Sequence, residues 1–234
     1  MSTDLPTKVV EAKQGFLELL NTLVPGTEEN KKEIKCERHP YPVHLYQFKN
    51  PSKTMSTPVY RVESRLEFPA WAVATLYAHW NGTTSFRKNL HYFHAVNDID
   101  ATADVLYSLT RKVAVISPRD YVDVRGFNLE EADNTMLIYG CSLELDHIPK
   151  RKSVVRGVFG PYGFHITPHP ENPQHTAFTL IHNLDFRGSI PGFVLKSLIN
   201  NIMVMVFDSL HDTLVKVTTE NWAEHKAYRD AYGT

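Results

Sequence analysis

The sequence predicts an α+β fold: an antiparallel sheet with helices gathered on one face or at one end. Three observations carry that reading. The element order is helix, strands, helix, many strands, long helix, so strands come in runs rather than alternating singly with helices. Residues 59–66 alternate in polarity as a half-buried strand does. Residues 195–214 carry an apolar stripe of almost ideal helical spacing. No composition break marks a boundary, so one domain over 7–217 is expected, followed by a polar tail over 218–234.

The elements follow in order. Val9, Ala12, Phe16, Leu20, Leu23 and Val24 recur at helical spacing until Pro25-Gly26 stops them, giving a helix over 7–24. Residues 26–35 are polar and charged and read as a connector. Val43 to Phe48 is strand-like. In Val59 to Leu66, Tyr60, Val62, Ser64 and Leu66 share one face, and Arg61, Glu63 and Arg65 the other. Pro69 suits a first helical turn, and Trp71 to Ala78 continues it. Strands are expected from about 92, at 105–107, within 113–125 and from Met136 to Asp146. Gly157, Gly160-Pro161 and Gly163 break the stretch 154–167 into bends. His169 to Pro173 is a turn, and Thr176 to Asp185 is another strand. The last helix opens at Pro191-Gly192. Its stripe is Leu195, Leu198, Ile199, Ile202, Met203, Val206, Phe207, Leu210 and Leu214. Val204 and Met205 widen the apolar surface, so this helix needs core on one side and a second apolar partner on the other.

Composition narrows the function. The formal charge of −1 lacks the surplus of Lys and Arg that binding phosphates demands, so no nucleic acid is expected as partner. Two cysteines, Cys36 and Cys141, make no disulfide framework. No signal segment and no unbroken run of about 18 apolar residues is seen, so the expectation is a cytoplasmic protein without a spanning helix. No nucleophile elbow, phosphate loop, dinucleotide fingerprint or zinc-protease motif is present. His91 and His94 would share a metal only on a helix and with a third ligand, so neither a metal nor a cofactor is expected. Cys141 reads as a buried inert thiol. Lys150-Arg151-Lys152 reads as a solvated loop, with weak contact to anionic headgroups as the alternative.

The segment Ser117 to Arg125 says more. On a strand, Arg119, Tyr121, Asp123 and Arg125 point one way and Val122 and Val124 the other. Periodicity alone favours solvent for the polar side. The alternative is a polar strip facing an internal chamber.

Four stretches resemble the START family, the steroidogenic acute regulatory protein-related lipid transfer domains. They are Val115-Ile116-Ser117-Pro118-Arg119-Asp120-Tyr121-Val122-Asp123-Val124-Arg125, Ser153-Val154-Val155-Arg156-Gly157, Gly160-Pro161-Tyr162-Gly163-Phe164 and Asn183-Leu184-Asp185-Phe186-Arg187-Gly188-Ser189-Ile190-Pro191. The resemblance implies a helix-grip fold, a curved antiparallel sheet wrapped around the C-terminal helix and enclosing an apolar tunnel. It implies ligand-binding roles for Arg119, Tyr121, Asp123 and Arg125, and for Leu195, Leu198, Ile199, Ile202, Met203, Val206 and Phe207. It implies an entrance loop with Val113, Ala114, Val115 and Ile116 at its tip. Arg125 falls where sterol carriers place a buried arginine, and Arg119 where a phosphatidylcholine-type member binds phosphate. The acidic partner of that arginine, counted back without gaps, falls near Leu106, which cannot pair; Asp104 is close but faces elsewhere after an odd shift, so Asp123 is the candidate substitute. Where the family often has a tryptophan after its first helix, this chain has His39-Pro40-Tyr41-Pro42.

The expected function is a monomeric lipid-binding and intermembrane lipid-transfer protein that is not an enzyme. It would hold one sterol, phospholipid or similar ligand and touch membranes transiently. The alternatives are a lipid sensor or scaffold without transfer, and a helix-grip enzyme of cyclase or hydrolase type using Tyr121, Asp123 and the histidines.

Overall fold

A computed structural model describes residues 4–26, 31–78, 90–100, 102–112, 116–130 and 134–220. The helices are α1 (Leu5–Thr22), α2 (Ala70–Ala78) and α3 (Gly192–Glu220). The strands are β1 (Lys31–Ile34), β2 (Val43–Phe48), β3 (Val59–Leu66), β4 (Leu90–Asp100), β5 (Ala103–Thr110), β6 (Arg119–Glu130) and β7 (Thr135–Ser142). They continue as β8 (Val155–Arg156), β9 (Val158–Phe159), β10 (Tyr162–His169), β11 (Asn172–His182) and β12 (Leu184–Asp185). Residues 31–34, read as connector, form an edge strand on β2, because cross-strand pairing of Ile34 with Val43 outweighs the poor strand propensity of two lysines. The tail over 221–234 lies outside the described residues.

Among the described residues ten strands share one open sheet, in the order β1-β2-β3-β11-β10-β7-β6-β5-β4, all antiparallel, with β8 added in parallel to the start of β6. A pair made by β9 and β12 stands apart. Strand alternation then sorts side chains onto two faces. One face carries α1, whose Ala12, Phe16 and Leu19 pack in a core with Val59, Val122, Val124, Leu137, Tyr139 and Ile181. Gly163 lets α1 approach: a Cβ there would sit 2.8 Å from the Phe16 ring. The other face carries α2 and α3 over a core of Val62, Ile138, Phe164, Ile166, Phe178 and Leu180.

Two of the four sequence stretches are fastened to each other. The strand β8 pairs Asp120 with Arg156, and the Arg156 guanidinium donates to both Asp120 carboxylate oxygens at 2.9 and 3.1 Å. Gly157 follows because any Cβ there would fall 2.2 Å from the Tyr121 ring.

By length and composition Gly192–Lys216 would suffice to cross a bilayer, which counting unbroken apolar runs did not reveal. In this fold it has another use. Ile199, Met203, Phe207, Leu210 and Leu214 are all at most 2% exposed and seat α3 on the sheet. Asp208 locks the seat: its carboxylate accepts the consecutive backbone N–H groups of Glu37, Arg38 and His39 at 3.2, 2.8 and 3.1 Å. Burial alone would raise the Asp208 pKa, but those three amides hold it below the ordinary value. His39, in the place of the absent tryptophan, stacks 5.2 Å from Phe207 and bonds Ser64 Oγ through Nε2 at 2.8 Å.

Burial pushes the His39 pKa down from 6.5 to about 4, with His211 adding to the shift. Between those values the unfolded chain binds a proton that the folded chain refuses. Stability should therefore fall as pH drops from 6.5 towards 4, by about 1.4 kcal/mol per pH unit for this one group. Urea unfolding across that range checks it; His39→Gln should flatten the dependence by about one proton.

Candidate functional site

The strip on β6 faces inwards, not to solvent. Arg119, Tyr121, Asp123 and Arg125 are 5, 3, 5 and 8% exposed, and Tyr121 belongs to the core beneath α3. Periodicity alone could not reveal this, since a second layer, here α3, decides whether a polar face meets water.

Arg125 is paired with Asp104. In the β5–β6 register the two residues are direct neighbours, with Nε to Oδ1 at 3.0 Å and Nη2 to Oδ2 at 2.5 Å. The expectation of Asp123 is thereby corrected. Residues two apart on one strand lie further apart than direct cross-strand partners, and the antiparallel pairing of β5 with β6 brings Asp104 opposite. Asp123 instead accepts Ser142 Oγ–H at 2.6 Å, and Ser142 Oγ accepts the Phe159 N–H at 2.8 Å. The strip thus ties β6 to β9. The third guanidinium nitrogen of Arg125, Nη1, is buried and has no hydrogen-bond partner.

Arg119 stands elsewhere. It is six positions from Arg125, about 20 Å along the strand, so the two do not converge. Its guanidinium donates to backbone carbonyls: Nε to Phe186 and Nη2 to Arg187, each at 3.3 Å, and Nη1 to Ser117. It ties the start of β6 to the turn before α3. In that turn Arg187 and Gly188 take positive φ, and Asp185 accepts the Arg187 N–H at 2.8 Å. Desolvation lowers the Arg119 pKa, and Tyr121 is pushed up, chiefly by burial.

The helix residues divide into two sets. Ile199, Met203 and Phe207 are fully covered and hold α3 in place. Leu195, Leu198 and Ile202 are half-covered, as are Phe127, Leu129 and Phe159 facing the same core, and Val206 is half-buried. At the N-terminal end of α3 a hollow of about 450 Å³ opens, within the usual range of about 300–1,000 Å³ for ligand sites. Tyr60, Phe186, Ile190 and Leu195 give it an apolar side; Arg187 and Lys196 stand at it with charge. Of the sequence-predicted residues, Leu195 lines it.

Of the entrance loop, Val113, Ala114 and Val115 lie outside the described residues; Ile116 is half-buried. The segment holding His91 and His94 is strand β4, not the helix that joint ligation at that spacing requires. Burial pushes the Cys141 thiol up to about 11, which keeps it protonated and unreactive.

A family model described as START domain matches residues 19–220. The chain belongs to the START family. Human StAR-related lipid transfer protein 6 is 28% identical over 155 residues, 64% of this chain and 70% of that protein. The mitochondrial steroidogenic acute regulatory protein of Danio rerio is 30% identical over 100 residues, 43% of this chain and about a third (34%) of that protein. The fold is that of human StAR-related lipid transfer protein 5, with a TM-score of 0.72 at 20% identity over 93% of this chain and all of that one. The START helix-grip architecture is thus that of this chain, a long antiparallel sheet gripping a C-terminal helix.

Sequence reasoning set Asp104 aside in favour of Asp123, and it missed Tyr60, His182 and Phe159. Only Asp104 left a signal: an acidic residue in an otherwise apolar strand. The others depend on which strands become neighbours. Asp104→Ala would strand a buried guanidinium, and a loss of about 3–5 kcal/mol in urea unfolding is expected. Replacing the pair together, Asp104→Leu with Arg125→Met, should cost markedly less.

Proposed function

We propose that this START domain binds one neutral, hydroxyl-bearing lipid of sterol type beneath α3 and carries it between membranes, without catalysing a reaction on it. The observation that carries this reading is the Arg125–Asp104 pair with its open Nη1. Asp104 already cancels the charge of Arg125, so what remains is one buried nitrogen, Nη1, whose two N–H groups have no partner. An uncharged oxygen, a hydroxyl or a carbonyl, accepts from it without bringing a second charge. A phosphate would meet the Asp104 carboxylate as well. Arg119, the other candidate for a phosphate, gives its N–H groups to carbonyls. These points favour a sterol over a phospholipid.

Driving force comes from burial, at roughly 25 cal/mol per Å² of apolar ligand surface. The half-covered Leu195, Leu198, Ile202, Phe127 and Leu129 supply the receiving surface. Exchange needs contact with a bilayer. Phe193, 78% exposed in the first turn of α3, with Lys196 three residues on, suits that contact: an aromatic ring among acyl chains and an ammonium at headgroup level.

Native mass spectrometry of the protein mixed with vesicles containing cholesterol should show one sterol per chain, and donor-to-acceptor vesicle assays should show its transfer. Arg125→Met should weaken binding about ten- to hundred-fold, the value of a hydrogen bond to a charged group. A protein that takes up phosphatidylcholine and ignores cholesterol would overturn the sterol assignment; one that takes up neither would overturn lipid binding.

A further inference from the structure

Resting on that reading, we infer that the sheet carries a second polar subsite, built by His182 and Tyr60, which selects lipids bearing a second uncharged oxygen at the end remote from Arg125.

The register places the groups. Asp104 faces Arg125, Arg125 faces Gly140, and Gly140 faces Tyr162. Tyr162 lies one residue beyond the pair of Gly163 with Ile181, beside His182, and His182 faces Tyr60. All lie on the side that bears α3, because their neighbours two residues on, Phe127, Ile138, Phe164, Leu180 and Val62, belong to the core under that helix. One transverse row thus runs from the Arg125 pair to Tyr60, with Tyr162 beside Gly140 and Phe159 packed 4.8 Å from the Tyr162 ring.

His182 is out of place there. Its Nδ1 is buried without a hydrogen-bond partner, and its ring lies 6.5 Å from that of Tyr60 and 6.3 Å from that of Phe159. Leucine would fill the position with no polar atom to desolvate. Tyr60 is 6% exposed, and its hydroxyl likewise makes no hydrogen bond among the described residues. Its ring forms part of the wall of the hollow at the end of α3. A buried, unsatisfied nitrogen is a cost to folding that a ligand oxygen removes, and Tyr60, at the wall of the hollow, sets a second polar group beside it. Burial also pushes the His182 pKa down to about 4. At neutral pH the imidazole is uncharged, one nitrogen donating and the other accepting, which matches a hydroxyl and gives no counter-charge to a carboxylate.

Spacing sets the ligand class. Three strand intervals separate Arg125 from His182, about 14 Å, and a fourth brings Tyr60, about 19 Å. That is the reach of a sterol from its ring hydroxyl to the tip of its side chain. The subsite therefore fits a side-chain-oxygenated sterol, or a lipid of like length with an oxygen at each end.

The test compares cholesterol with 27-hydroxycholesterol as competitors for a fluorescent sterol bound to the full chain. The wild-type protein should prefer the diol about ten-fold, equivalent to one added hydrogen bond to a buried partner. His182→Leu and Tyr60→Phe should each bring the ratio of the two affinities towards one. A ratio carries no trace of a general loss of folding, and Tyr60→Phe removes only a hydroxyl should the histidine variant fold poorly. Equal affinities in the wild-type protein, or an unchanged preference in both variants, would overturn the subsite while leaving sterol binding intact. Uptake of neither sterol would overturn the underlying reading itself.

Discussion

The seating of one helix governs this molecule. The α3 helix must be apolar enough to cover the hollow side of a wide sheet, and it is not held equally along its length. Phe207, Leu210 and Leu214 are completely buried, and Asp208 collects three successive amides of the segment after β1. Towards its N-terminus the helix offers Leu195 and Leu198, half-covered, and Phe193, which faces solvent. Local stability follows buried contact and satisfied backbone, so the first turns are the weaker part of the clasp. The hollow opens at that end.

Charge placement follows from the same geometry. Three arginines lie in or beside β6, and each is handled differently. Arg156 answers Asp120, a fully buried carboxylate, and in doing so joins β8 to the sheet. Arg119 has carbonyls for partners and fixes the turn that launches α3. Arg125 faces the space under the helix, its charge cancelled by Asp104 and one nitrogen unspent. A buried ion pair adds little to stability against apolar residues of the same size. Its retention with an open donor makes sense as a polar anchor inside an apolar site.

How much of this could be read from the sequence depends on the range of the forces involved. The helices α1 and α3 announced themselves through local periodicity, because each buries one stripe against the sheet. The alternation of residues 59–66 gave β3 both faces correctly. Strand β1 went unseen, since Lys31-Lys32 looks like a connector until Val43 is placed beside Ile34. The stretch Ser-Pro-Arg-Asp and the stretch Val-Val-Arg-Gly stood out, and the structure shows a physical reason, as Asp120 and Arg156 are partners and Gly157 makes room for Tyr121. The site was half legible. Arg125 was picked out, but its partner was sought along one strand when antiparallel registry supplies it from the next. Tyr60 and His182 lie over 120 residues apart and meet only through the pairing of β3 with β11.

The central claim is that a lipid fills the space between α3 and the sheet with an oxygen on Arg125. A crystal structure of the protein grown with cholesterol tests it most directly. The account predicts one sterol against Leu195, Leu198 and Ile202, its hydroxyl within hydrogen-bond distance of Arg125 Nη1 and the Asp104 pair unbroken. It would be contradicted by the α3 side chains closed down on Phe127 and Leu129, with no sterol between them and Nη1 answered by the protein's own atoms.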